Sequence, residues 1–343
     1  MAETSVSFLS SRGRGISNDI KVIQTGLGEQ IEDVSFRYFV TSEVTESRIV
    51  KKSHKAAKKK FCEEMTNVVC VDVSLEPSRK LPNTGGKRIL EAIPYGYQFD
   101  YARDLDTEQP LKDSLKNFTH VFAPSPFTAD LLKKRYDLNQ IQLVEGFCSP
   151  FAWDLNQQER QIEKREKLEY LFPGMKGKKI LVISTTGKCT EENEETYLGT
   201  DMKAILDLLG EDWFLLTNCE TFLNCTGRMP YRYHTRFGFA NHSIAAADML
   251  YVADALITNS SNFASAFASR RCPTYCLQYS DGCFEEYVAK QYPELCVKNL
   301  LEFVKEAKLD GELQKEQKRF CERFSYEAKQ NPVDKIYKIL MEE

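Results

Sequence analysis

Short apolar runs alternate with longer stretches whose apolar residues recur at helical spacing, from one end of the chain to the other. In the first half, strands are expected near residues 5–10, 34–41, 68–73, 89–93, 121–123 and 141–146. Several of these runs are continuously apolar, as strands covered on both faces of a parallel sheet must be. Helical patterns fall between them at 17–27, 46–65 and 128–136. Strand and helix in this order predict an open α/β sheet.

The alternation pauses at a polar, charge-rich helix over 157–170, followed by Phe172-Pro173-Gly174-Met175-Lys176-Gly177. That Pro/Gly stretch reads as a boundary. A second series opens at once with a strand over 179–184. It continues with a helix at 201–209, strands at 213–217 and near 231–234, and a helix at 244–252. A strand at Ala255-Leu256-Ile257, a helix resuming at Phe263 and a strand at 273–277 complete it, and from Phe284 on the chain reads as helical and charged. The expected layout is an N-terminal Rossmann-like domain (1–155), a linker helix and turn (156–177), a second Rossmann-like domain (178–330) and a C-terminal helix (331–343). Ligands of such sheets bind at the carboxyl ends of the strands, so the two domains are expected to face each other across a cleft that holds the site.

The length of 343 residues suits two domains of about 150 residues each. Apolar residues make up 42% and charged residues 28%, the profile of a globular protein. A net charge of −4 provides no basic field for nucleic acid, which is excluded as a partner. No window nears the roughly 20 apolar residues that cross a bilayer. The N-terminus lacks the charged-then-apolar order of a signal peptide. The 11 cysteines mostly lie in apolar runs without zinc spacing, which points to reduced thiols and a cytoplasmic location.

Five small polar residues, Thr258-Asn259-Ser260-Ser261-Asn262, separate the strand at 255–257 from the following helix. Helix starts expose N–H groups and carry about half a positive charge. Ser260 or Ser261 caps the helix, and the other hydroxyl is available to an anion. After the 179–184 strand, Ser184-Thr185-Thr186-Gly187-Lys188 combines hydroxyls, glycine and lysine. It is either a polar turn or a second contact to phosphate, and it is not a P-loop, because Cys189 follows the lysine.

His234, Asp254, Leu256-Ile257-Thr258, Ser260-Ser261 and Pro273 stand in an order that resembles the donor half of GT-B transferases. They are most similar to the C-terminal half of the CDP-glycerol glycerophosphotransferase family, which assembles teichoic-acid-type polymers. The resemblance implies a nucleotide-diphosphate donor held by Thr185, Thr186, Gly187, Arg232, Ser260, Ser261 and Asn262. It implies that His234 donates to the leaving diphosphate, with Arg228 as a further contact. This sequence has Asn259 where the family has aspartate, lacks the aromatic residue that follows, and has no N-terminal Trp-His-Gly motif; its N-terminal histidines are His54 and His120.

On the acceptor side, Arg12-Gly13-Arg14-Gly15 follows the first strand, where glycines admit close approach and arginines pair with phosphate or carboxylate. Asn18 breaks the G-x-G-x-x-G pattern of dinucleotide enzymes. Asp19 is either the base for an acceptor hydroxyl or a first-turn acid favoured by the helix dipole. Ser125 lies at a helix start and lines the acceptor side or caps that helix. Lys51, Lys52, Lys55, Lys58, Lys59 and Lys60, within 51–60, are either a solvated helix face or a peripheral contact to the inner face of a plasma membrane.

The expected activity is transfer of a sugar from a nucleotide-diphosphate donor to a hydroxyl of a glycan, surface-polymer or lipid-linked acceptor. Glycerol- or ribitol-phosphate transfer from a CDP-linked donor is the enzymatic alternative, and a non-catalytic glycan-binding partner is the alternative from another class. No cofactor or essential metal is expected, since no convincing DxD pair occurs.

Overall fold

The computed structural model describes residues 4–10, 18–40, 67–71, 87–92, 118–135, 138, 141–187, 189–198, 200–222, 235–240, 244–306, 309 and 311–342. The chain divides into two compact units, Met1–Trp153 with Tyr326–Glu343, and Asp154–Ser325. The labels below number the described strands and helices in chain order.

In the first unit, β1 (Thr4–Ser10), β2 (Val34–Val40), β3 (Asn67–Val71), β4 (Arg88–Ala92), β5 (His120–Phe122) and β6 (Gln142–Val144) form one parallel sheet in the order β2-β1-β3-β4-β5-β6. Each strand lies within two residues of its expected place, the usual uncertainty of element ends. Val6 and Phe8, two apart on β1, put their side chains on one face. Ile20, Ile23 and Leu27 on α1 (Asn18–Gln30) join them at helical spacing.

The same core takes in Val333, Ile336, Ile339 and Leu340 from the last helix, α12 (Pro332–Met341). Asn331 caps that helix by accepting from the Val333 N–H at 2.9 Å. The approach of α12 to α1 is close: a Cβ at Gly26 would lie 2.9 Å from Val333 Cγ1. The C-terminal helix is therefore part of the first unit, tied there by its apolar face. The helix expected over 46–65 lies outside the described residues.

In the second unit, β7 (Lys179–Ser184), β8 (Trp213–Thr217), β9 (Phe237–Phe239), β10 (Ala255–Thr258), β11 (Thr274–Leu277) and β12 (Cys296–Val297) form a parallel sheet in the order β12-β11-β10-β7-β8-β9. The chain builds outward from β7 to β9, returns to β10 beside β7, and builds outward the other way. The β7/β10 junction is thus the topological switch point of a doubly wound sheet. The strand expected near 231–234 lies outside the described residues, and β9 forms one edge. The C-terminal stretch is not helical throughout: β12 adds the other edge, through Cys296 and Val297 paired with Cys276 and Leu277.

The polar helix α4 (Gln158–Leu171) packs on α7 (Ala246–Val252) within this unit. Lys164 and Lys167 reach Asp248 at 3.1 and 3.3 Å, and Tyr251 donates from its hydroxyl to Asp154. One turn of 3-10 helix, Pro173–Met175, follows. Gly174 there has no room for a side chain, because a Cβ would stand 1.8 Å from the Thr235 carbonyl oxygen. Arg236 is buried and donates to the Leu206 and Gly210 carbonyls, closing the end of α6 (Met202–Leu209). The cysteines that the structure describes are free thiols, and burial pushes those of Cys148 and Cys321 up to about 12.

Ile336 is fully buried between α12 and the first sheet. Ile336→Ala should cost about 2–5 kcal/mol of stability. Chemical denaturation should show this as a lower midpoint for the transition of the first unit; an unchanged midpoint would contradict the packing of α12 there.

Candidate functional site

Four strand ends of the second unit supply the site. Strand β7 ends at Ser184 and runs into Thr185, Thr186 and Gly187, and β10 ends at Thr258 and runs into Asn259 and Ser260. Ser184 and Thr258 are paired in register, so the two loops leave the sheet side by side. Strand β8 contributes Asn218 just after Thr217, and the turn after β11 contributes Ser280 and leads to α9 (Cys283–Gln291).

Two asparagines hold the β7 loop. Asn218 Oδ1 accepts from the Thr185 N–H at 3.0 Å, and its Nδ2 donates to the Thr185 carbonyl at 3.4 Å. Asn259 does the same one residue on: Oδ1 accepts from the Thr186 N–H at 2.8 Å and Nδ2 donates to the Thr186 carbonyl at 2.9 Å. The backbone of each residue offers one N–H donor and one C=O acceptor, and a side-chain amide is the group that matches both. The Thr186 hydroxyl lies 3.5 Å from the same Oδ1. Gly187 is exposed with φ +78°, and among the described residues no atom lies within 4 Å of the place a Cβ would take. Its backbone is open to a ligand.

Helix α8 (Ser261–Ala268) starts beside this loop. Thr258 Oγ1 accepts from the Ser260 N–H at 3.0 Å, and Ser260 Oγ accepts from the Phe263 N–H at 3.4 Å. Ser260 is therefore the cap, which leaves Ser261, half-buried at the first helical position, as the spare hydroxyl. At the end of β7 the Ser184 hydroxyl is fully buried and has no hydrogen-bond partner among the described residues.

Behind Asn259 stands the Glu285 carboxylate, only 4% exposed. Its Oε1 accepts from Ser280 N at 3.0 Å, Ser280 Oγ at 2.5 Å and Asn259 Nδ2 at 3.4 Å. Burial raises its pKa, and these hydrogen bonds offset part of that rise. Gly282 makes room for it, since a Cβ there would lie 2.1 Å from Glu285 Oε2.

Thr185, Thr186, Gly187, Ser260, Ser261 and Asn262 are thus brought together at the switch point. Arg12, Gly13, Arg14, Gly15, Lys188, Arg228, Arg232, His234 and the lysine run at 51–60 lie outside the described residues. In the first unit, Asp19 Oδ1 accepts from the Phe151 N–H at 2.8 Å and so fixes the start of α3 (Pro150–Asp154). Ser125 is fully buried and caps α2 (Pro126–Arg135), accepting from the Thr128 N–H at 3.2 Å. Asp254 accepts from the Ile180 N–H at 2.7 Å, at the end of β10 away from Asn259. His120 is buried 2.9 Å from Thr119 Oγ1, and burial lowers its pKa.

Asn218, Ser280, Gly282 and Glu285 were not among the residues expected from the sequence. Asn218 carried a readable signal, because Thr217-Asn218 repeats at the end of β8 the Thr258-Asn259 pair at the end of β10. Glu285 carried none, since an acid in a first helical turn reads as a dipole partner. Among the described residues no group of three or more His, Cys, Asp or Glu side chains is placed to hold a metal ion, and no helix is long and apolar enough to cross a membrane.

Several solved structures share this architecture. A histidine-to-asparagine variant of the wall teichoic acid polymerase TagF matches 98% of this chain and 89% of its own, with 13% sequence identity and a TM-score of 0.62. The same variant soaked with CDPG matches 99% of this chain and 90% of its own, at 12% identity and a TM-score of 0.62. The UDP-GlcNAc 2-epimerase from Methanocaldococcus jannaschii matches 98% and 99%, at 12% identity and a TM-score of 0.60. No protein-family model and no curated protein sequence matches the chain. At these identities the likeness is one of fold: the protein is an α/β protein of the GT-B class, with two Rossmann-like units and a helical C-terminus.

Charging Glu285 costs more in the folded than in the unfolded protein, because its folded pKa is raised. The folded state takes up this proton first as pH falls, so that stability is gained on the way down to the ordinary carboxylate value and is constant below it. Thermal melts of wild type and Glu285→Gln between pH 7.5 and 4.5 should show wild type gaining relative to the variant as pH falls. A gap that stays constant or moves the other way would contradict the buried, destabilised carboxylate.

Proposed function

We propose that the protein is a GT-B transferase whose second unit binds a nucleotide-diphosphate donor at the β7/β10 switch point. The observation that carries this reading is the β7 loop, fixed through the backbone of two successive residues, Thr185 and Thr186, beside the start of α8. The diphosphate sits on the Thr186 and Ser261 hydroxyls, the open backbone of Gly187 and the first turn of α8, whose partial positive charge favours an anion. Arg232 and His234 add contacts to the leaving diphosphate, as the resemblance in their surroundings implies.

In the reaction, an acceptor hydroxyl oxygen bonds to the activated carbon of the sugar. The bond from that carbon to the diphosphate oxygen breaks, the nucleotide leaves with its electron pair, and the acceptor's proton passes to the departing diphosphate or to solvent. Asp19, the acid expected on the acceptor side, accepts from the Phe151 N–H through Oδ1 and so also holds the start of α3. The acceptor is a hydroxyl of a glycan, surface polymer or lipid-linked chain. A second reading, transfer of glycerol- or ribitol-phosphate from a CDP-linked donor, is supported by the family-like Leu256-Ile257-Thr258 and Ser260-Ser261 stretches at the same seat.

Thermal shift of the full-length protein with UDP-sugars, GDP-sugars and CDP-glycerol tests both readings. Stabilisation by a nucleotide sugar supports sugar transfer, and stabilisation by CDP-glycerol alone selects the second reading. No stabilisation at millimolar concentration would overturn the donor site in favour of a non-catalytic partner.

The two serines should separate in the same assay. Ser261→Ala should weaken donor binding about tenfold with little change in stability, as loss of one hydrogen bond to a charged group implies. Ser260→Ala should cost about 1 kcal/mol of stability, the worth of a helix cap. Unchanged affinity in Ser261→Ala would remove its hydroxyl from the seat.

A further inference from the structure

We infer that Asn218 and Asn259 are the positioning residues of this seat, and that position 259 must carry an amide because it faces a peptide carbonyl and a buried carboxylate at once. The inference rests on the donor reading above. The two residues come from the ends of different strands, β8 and β10, on either side of β7. Each closes a two-point pair with the backbone N–H and C=O of one loop residue, Asn218 with Thr185 and Asn259 with Thr186. Two successive residues are thereby fixed before a ligand arrives, so ordering the loop does not weaken binding. What the loop then offers is the Thr186 side chain and the Gly187 backbone, next to Ser261.

An aspartate at 259 would still accept from the Thr186 N–H. Its second oxygen, however, would stand where Nδ2 now donates to Thr186 O at 2.9 Å, Ser280 Oγ at 3.3 Å and Glu285 Oε1 at 3.4 Å. Two oxygen atoms would meet at the carbonyl, and two carboxylates would share the site. Among the described residues, Glu285 on α9 is the titratable group hydrogen-bonded to Asn259; the other hydrogen bonds of that side chain run to the Thr186 N–H and C=O, the Thr186 hydroxyl and the Ser280 hydroxyl. A carboxyl pair this close holds one proton between its members as pH falls. In the protonated pair a carboxylic O–H replaces the lost amide donor.

The test is isothermal titration calorimetry of CDP, UDP and inorganic pyrophosphate against the full-length wild type, Asn218→Ala, Asn259→Ala and Asn259→Asp, each confirmed folded by circular dichroism. Wild type is expected to bind at least one of these probes. Asn218→Ala and Asn259→Ala should bind it about tenfold more weakly at every pH, the effect of leaving a loop peptide without its partner. Asn259→Asp should show the same loss at pH 8 and recover toward wild type at pH 5.5; taking the ratio to wild type cancels titration of the probe itself. A tie between strand ends with no role in binding would lower the melting temperature and leave these affinities and their pH profile unmoved. If an alanine variant does not fold, Asn218→Ser and Asn259→Asp carry the test. Wild-type affinity in the asparagine variants would overturn the positioning role and leave the donor reading standing. Absence of binding by wild type to all three probes would overturn the donor reading and this inference with it.

Discussion

The side-chain amide of Asn259 meets several demands at one point. It accepts from one side of the Thr186 peptide and donates to the other, and its donor end also faces the Glu285 carboxylate. Three loops that follow β7, β10 and β11 meet on this one group. Leaving any of these partners buried and unmatched would cost on the order of 1–3 kcal/mol. The register of Ser184 against Thr258 puts the first two loops next to each other, and the amide turns that proximity into a fixed geometry. Gly282 completes the arrangement by leaving space for the carboxylate that the amide faces.

Strand order explains why this point matters. In a doubly wound sheet the helices that follow the two strands at the switch point lie on opposite faces, and a crevice opens at the strands' carboxyl ends. The Thr185–Gly187 loop and the start of α8 both emerge there. Asp254, although part of the stretch that resembles a transferase donor half, works at the other end of β10 by tying it to Ile180. One strand thus separates a structural acid from the polar seat. The first unit is held by different means: its sheet is covered by α1 and by α12, whose residues are the last of the chain.

Much of this was legible in the sequence. Strands β7, β8, β10 and β11 are buried along nearly their whole length and appear as unbroken apolar runs. The edge strands β9 and β12 are three and two residues long, too short to show a period. A helix expected over 331–343 was readable and α12 covers Pro332–Met341, but its place against α1 was not, because it depends on partners at the far end of the chain. Thr186, Gly187 and Ser261 were singled out because small polar residues after a strand are a local signal. Glu285 and the pairing role of Asn218 depend on loops distant in sequence. Asn259 was visible only as a departure from a family pattern, and Glu285 supplies a physical reason for the amide. Asp19 and Ser125 show why residue type alone leaves two readings open: residue types that suit chemistry also suit helix starts, and here both hold helix starts.

The central claim is that the β7 loop and the start of α8 form one anion seat. It is tested most directly by following the backbone amide resonances of the full-length protein by NMR as CDP is added. The account predicts that Gly187 and Ser261 shift together along one binding curve, while Ile180 and Asp254, at the opposite end of the sheet, stay in place. Saturable CDP binding that leaves Gly187 and Ser261 unmoved would contradict it.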